Sequence, residues 1–267
     1  MRTRTWRRRG AAAVSLATAA VVSVPAAASG SRAASAPESP VPPGCSVQGA
    51  IADRWYRLDG AIGVLGRPVT CELATPSRHG RFTHFERGSI YWSPGTGAWE
   101  VRGLIRERWA GMGWETSWLG FPVTGEQPTR TRPGAFQAFE GGSVFWCPGV
   151  GAHAVRGAIR DAWASAGGET GLLGCPTTSE TALPRGAFTH FEGGSVYWSP
   201  ATGAHLVRGA IRDAWARHGW EAGVLGYPVS DEYDLPSGRR SDFEGGYVTW
   251  SPGGGAIVVP RRAGLGF

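Results

Sequence analysis

Three sets of side chains in this chain have types and spacings that could do chemistry. Residues 188–205, FTHFEGGSVYWSPATGAH, place Ser195 after a glycine pair with His190 and His205 on either side, the raw material of a base-assisted nucleophile. Four glutamates, Glu86, Glu140, Glu192 and Glu244, sit beside glycine turns and could supply the two carboxylates of a glycosidase. Four cysteines, Cys45, Cys71, Cys147 and Cys175, could bind metal or form disulfides.

Comparison within the chain weakens the catalytic readings. Ser195 corresponds to Ser89 and Ser143, but Tyr247 holds the fourth place, and no G-x-S-x-G elbow is present. His84 and His190 correspond to Ala138 and Asp242, while His153 and His205 share a position with Trp99 and Ile257. A position open to Trp, His and Ile suits half-exposed packing better than a general base. Four equivalent glutamates suit turn or arginine partners better than an asymmetric acid/base pair, and Arg102, Arg156 and Arg208 are the candidate partners. The cysteines lack C-x-x-C spacing, and no lysine-bearing P-loop is present, so no metal or cofactor is expected.

The elements that must position these groups recur four times. Ile51, Ile105, Ile159 and Ile211 are each followed four residues later by Trp55, Trp109, Trp163 and Trp215, one face of a short helix. Next come VLGRP, WLGFP, LLGCP and VLGYP, in which Gly66, Gly120, Gly174 and Gly226 permit a tight backbone. Pro68, Pro122, Pro176 and Pro228 fix the exit. Segments such as HFEGGSVYW then predict strands joined by glycine turns. The period is 54, 54 and then 52 residues.

A helix plus three short strands cannot bury both faces alone and must stack on its neighbours. The expected fold is therefore an α+β repeat protein. Its four units each carry a short helix and a three-stranded antiparallel meander, arranged as a propeller-like pseudo-symmetric ring, with an open arc as the alternative. The repeats span about 49–102, 103–156, 157–208 and 209–260, inside a domain of 45–260, and 261–267 form a tail. Ser46-Val47 aligns with the third strand of a unit whose first two strands are absent.

The cysteines fit this frame. Cys147 replaces Ser93 at a strand end, Cys45 replaces Trp99 across the same hairpin loop, and Cys71 and Cys175 lie in or just after the LGxP segment. Pairing Cys45 with Cys71 and Cys147 with Cys175 places both bridges at one structural location. Each would close a loop of 27 to 29 residues, worth about 3 kcal/mol on chain entropy.

Residues 1–28 read as a signal peptide: a basic start, an apolar alanine-rich run and an A-x-A site at Ala26–Ala28, with Pro25 and weak hydropathy arguing against an anchor. Residues 29–44 read as a flexible linker. Removing the first 28 residues takes away five arginines and no acids, so the formal +6 falls to about +1. That balance asks for neither nucleic acid nor stable membrane insertion, and a secreted monomer is expected.

The tetrapeptide Leu119-Gly120-Phe121-Pro122, its three variants and the F-E-G-G-S-[IV]-Y-W segment resemble the LGFP repeat family over residues 49 to about 260. Such repeats occur in secreted actinobacterial proteins, often beside mycoloyltransferase or cell-wall hydrolase domains, and the resemblance implies attachment to the envelope through its glycans. The absence of lysine and the abundance of alanine and glycine (42 Gly) fit a GC-rich source of that kind. No catalytic domain accompanies the repeats in this sequence, so the carried-over expectation is binding to cell-wall polysaccharide or peptidoglycan, not catalysis. The alternatives are an extracellular protein-interaction module and a hydrolase or esterase with an unrecognised site.

The tryptophans divide accordingly. Trp55, Trp109, Trp163 and Trp215, with Trp92, Trp146, Trp198 and Trp250, recur in every copy and read as core and inter-unit packing. Trp99, Trp114, Trp118 and Trp220 occur in some copies only. They read either as peripheral cover or as exposed stacking surfaces for sugar rings, with Glu115, Glu169 and Glu221 accepting hydroxyl hydrogen bonds.

Overall fold

The i, i+4 pairing of isoleucine and tryptophan produces four short helices: α1 (Gly49–Tyr56), α2 (Gly103–Met112), α3 (Gly157–Ser165) and α4 (Gly209–Arg217). Each isoleucine is at most 2% exposed, as are Trp109, Trp163 and Trp215, and Trp55 is half-buried. Burying one such side chain contributes roughly 1.5–3 kcal/mol. The computed structural model describes residues 45–76, 78–130 and 132–261. The signal peptide, the linker and tail residues 262–267 expected from the sequence lie outside these. After α2, α3 and α4 a left-handed glycine, Gly113, Gly167 or Gly219, ends the helix and starts a 3₁₀ turn.

Each unit carries a four-stranded antiparallel sheet in sequential order. In the first, β1 (Leu73–Ala74), β2 (Arg81–Phe85), β3 (Gly88–Ser93) and β4 (Gly97–Arg102) pair in turn, with Phe85 opposite Gly88 and Ser93 opposite Gly97. The second contains β5 (Gln127–Pro128), β6 (Ala135–Phe139), β7 (Gly142–Cys147) and β8 (Gly151–Val155). The third has β9 (Thr181–Leu183), β10 (Gly186–Phe191), β11 (Gly194–Ser199) and β12 (Gly203–Arg208). The fourth has β13 (Tyr233–Leu235), β14 (Gly238–Phe243), β15 (Gly246–Ser251) and β16 (Gly255–Pro260).

The expected three-stranded meander therefore needs correction. The added edge strand is two or three residues long and mostly exposed, too short to show an alternating pattern. Pro128 is tolerated in β5 because an edge strand can lack one ladder donor. Ser46-Val47 also differs from expectation. It leads to the extended Gln48 that precedes α1 and belongs to no strand among the described residues.

Each helix packs on the third and fourth strands of its own sheet, and α2 and α4 also touch the corresponding strands of the unit before. The cores follow suit. Tyr91 and Val101 of the first unit join a cluster with Ile105, Trp109, Leu119 and Phe121 of the second. Tyr197 and Val207 of the third join Ile211, Trp215, Leu225 and Tyr227 of the fourth. The cysteines pair as expected, Cys45 with Cys71 and Cys147 with Cys175, at Cα separations of 4.9 and 6.4 Å. The second bridge ties the second unit to the third.

Candidate functional site

The LGxP segment is a latch closed from three sides. Its glycine has φ between +66° and +74° in every unit, the left-handed region glycine enters without strain. Indole Nε1 atoms of Trp55, Trp109, Trp163 and Trp215 donate to the carbonyls of Gly66, Gly120, Gly174 and Gly226 at 2.9–3.2 Å. Glu86, Glu140, Glu192 and Glu244 accept from the following backbone amide, that of Arg67, Phe121, Cys175 or Tyr227, at 2.8–3.1 Å. A Cβ on any of these glycines would lie 2.2–2.4 Å from the glutamate Oε2. Prolines 68, 122, 176 and 228 bridge to Phe85, Phe139, Phe191 and Phe243. The recurring glutamates thus serve the backbone.

They also hold the repeats together. Arg78 donates to Glu140, Arg132 to Glu192 and Arg185 to Glu244 at 2.5–2.6 Å, each arginine coming from the preceding unit. Burial alone would raise the Glu140 pKa, but Arg78 and the Phe121 amide hold it below the usual carboxylate range. Arg132 does the same for Glu192. Arg102, Arg156 and Arg208, the partners expected from the sequence, bind Glu126, Glu180 and Glu232 instead. The sheet explains the difference: the loop between first and second strands projects its arginine onto the next unit's glycine turn.

These second pairs border a recurrent cavity. In the first unit, Gln48, the start of α1, Glu72, Arg81 and Trp92 enclose about 340 Å³. In the second, Arg102, the start of α2, Glu126 and Trp146 enclose about 390 Å³. In the fourth, Arg208, the start of α4, Glu232, Arg239 and Trp250 enclose about 350 Å³. The carboxylates are held by guanidinium groups at 2.5–3.1 Å, and the Glu232 side chain is only 9% exposed. Burial raises the Glu126 pKa against the pull of Arg102. No side chain caps α1, α2 or α4, so first-turn N–H groups face the same space. Trp92, Trp146, Trp198 and Trp250 are half-buried: one face packs against the core clusters, as expected, and the other is open. An aromatic plane beside fixed donors and acceptors can take a hydroxylated ring.

The partially repeated tryptophans have protein neighbours. Trp114 stacks on Tyr91 of the preceding unit at 5.8 Å, lies 6.1 Å from His84 and carries the Arg106 guanidinium at 5.1 Å. Trp220 repeats this with Tyr197, His190 and Arg212. Both hold φ near +56°, a strain their packing offsets. Arg54 lies over Trp99 and Arg156 over Trp118. Glu115 is 2% exposed and its Oε1 lacks a hydrogen-bond partner; Glu169 lies near Arg132; Glu221 borders a separate cavity of about 600 Å³.

Position-by-position comparison in the sequence missed one contact. His84 Nδ1 and Ser89 Oγ are 2.7 Å apart, and so are His190 and Ser195, because the hairpin register sets these pairs opposite each other. Arg106 and Arg212 donate Nε–H to the same serine hydroxyls. Burial, then the arginine charge, lowers both histidine pKa values. Each serine is 0% exposed, so no substrate reaches it, and the cluster cements the seams between units 1 and 2 and between units 3 and 4. Among the described residues no group of His, Cys, Asp and Glu could hold a metal, and no helix is long and apolar enough to cross a membrane.

One family model, described as the LGFP repeat, matches four consecutive segments: 65–117, 119–171, 173–223 and 225–265. Each segment begins at or next to the leucine of LGxP, so the first three end within or just after the next unit's helix and 3₁₀ turn. No curated protein matches the chain.

Proposed function

The chain belongs to the LGFP repeat family, and from that premise we propose that it is a secreted, non-catalytic module that binds cell-envelope glycan through several weak, equivalent sites. The family is not one of known enzymes. Its repeats and the two disulfides fit an extracellular protein. The observation that carries the reading is the recurrence of a tryptophan, a partly buried glutamate held by an arginine, and open helix-start amides around cavities of similar size in three units. A polymer that repeats its own sugar could engage them together, gaining avidity without any one tight site. The propeller-like closure of the four units belongs to the same proposal, and solution scattering tests it.

The test is retention on purified wall polysaccharide or peptidoglycan from an actinobacterial envelope. The protein should be retained, and glycanase treatment of the wall should release it. No retention on any wall fraction would end the reading. A protein-binding role has one feature in its favour: Val64, Leu172 and Val224, each preceding an LGxP leucine, are 48%, 63% and 65% exposed. Release by protease treatment of the wall, but not by glycanase, would select that role.

A further inference from the structure

The cavity of about 600 Å³ at the seam of the third and fourth units shares no residue with the helix-start cavities. Pro184 and Arg185 come from the loop between β9 and β10. Glu221, Ala222, Gly223 and Val224 come from the turn after α4, and Tyr227 and Glu244 from the LGxP latch. The charges do not balance. Arg185 is committed to Glu244 at 2.5 Å and also lies over the Tyr227 ring at 5.4 Å. Glu221 has no hydrogen bond or ion pair with any described residue, so the cavity keeps one uncompensated carboxylate.

Tyr227 is 2% exposed, yet its ring borders this space. Burial, then Glu221, raises its pKa, while the Arg185 charge and backbone amide pull the other way. The phenol therefore stays protonated, and its hydroxyl has no acceptor among the described residues. Val224, Ala222 and Pro184 add apolar wall. The combination is peculiar to the fourth unit. At the positions of Glu221 and Tyr227, the first unit has Ala61 and Arg67. The second has Glu115, which is buried, and Phe121; the third has Glu169 and the disulfide-bonded Cys175.

We propose that this cavity is a second, distinct binding site, one that takes a sugar ring bearing a free amino group. The ammonium would face Glu221, the ring hydroxyls would meet the Tyr227 hydroxyl and the Arg185–Glu244 pair, and the C–H face would lie on Val224 and Pro184. A partly buried carboxylate discriminates strongly between an ammonium and its neutral amide, because the attraction is screened less than in bulk water.

The experiment is calorimetric titration of the full chain with the tetramers of glucosamine and of N-acetylglucosamine, below the pKa of the amine. The glucosamine tetramer should bind about tenfold more tightly or better. E221Q should remove that preference while keeping the far-UV and tryptophan spectra of the parent. Triple substitution of Trp92, Trp146 and Trp250 by alanine should leave the preference intact, separating this site from wall retention. Equal binding of the two tetramers, absence of binding by both, or a preference that survives E221Q would overturn the proposal.

Discussion

Gly120→Ala tests the latch at its tightest point. Gly120 holds φ +68°, and an added Cβ would fall 2.2 Å from Glu140 Oε2. A left-handed non-glycine residue costs roughly 1–2 kcal/mol. Displacing the carboxylate strands the Phe121 amide, which it accepts from at 2.8 Å, for roughly 1–3 kcal/mol more. The expected loss is thus about 2–5 kcal/mol. Gly97→Ala is the control. Gly97 has φ +76° at the start of β4 with nothing within 4 Å of its Cβ position, so it carries the conformational cost alone. Urea unfolding followed by tryptophan fluorescence gives both values. In a Glu140→Ala background, the added cost of Gly120→Ala should shrink to that of Gly97→Ala, since no carboxylate is left to displace. Equal costs in the parent protein would refute the close approach of Glu140 to Gly120 as the reason for the glycine.

Glu192→Ala should destabilise more than Arg132→Ala in the same unfolding assay. The arginine leaves a partly exposed pair worth about 1 kcal/mol or less, whereas the glutamate also abandons the Cys175 amide. Stability should fall as pH drops below 6.5, because the unfolded chain protonates His84 and His190 before the folded one does. Replacing both by Gln should reduce that slope, leaving the share of His153, whose pKa burial also lowers. His205, raised by its hydrogen bond to Asp231, has the opposite sign: its contribution is full below 6.5 and is lost as pH rises through the raised pKa. Asp231→Asn should remove that term. Trp114→Ala should cost about 2–4 kcal/mol and, by opening the seam to water, move the His84 pKa up toward its ordinary value in an NMR titration, with His190 unchanged.

The repeat frame, the helices, the central hairpins and the cysteine pairing were legible because each rests on local spacing, and four copies of one pattern reinforce it. The LGxP glycine could be assigned a tight backbone, but the glutamate that fills the space beside it comes from a hairpin turn 18 to 20 residues later, so the reason for the glycine was not. The seam arginines were misassigned for a related reason. Arg102 lies nearer Glu140 along the chain, yet the bond to Arg78, across a separation of 62 residues, is made by the stacking of one unit on the next. Recurrence identified Trp92, Trp146, Trp198 and Trp250 as packing residues, which they are, but it could not show that each keeps one open face, because a repeated half-buried residue has the same sequence signature as a repeated buried one. The His190–Ser195 contact was hidden because each position was compared with its own counterparts. Its signal was the i, i+5 spacing across a two-residue hairpin turn, which sets the two residues opposite each other.

The central claim, several weak equivalent sites acting together, is tested most directly by counting them. Retention on purified wall glycan should be measured for the parent and for single, double and triple alanine variants at Trp92, Trp146 and Trp250. Each single variant should lose part of the retention, each further substitution should reduce it by a larger factor than one weak site alone accounts for, and the triple variant should be released. Retention of the triple variant equal to that of the parent, with its fold intact by circular dichroism, would contradict the account.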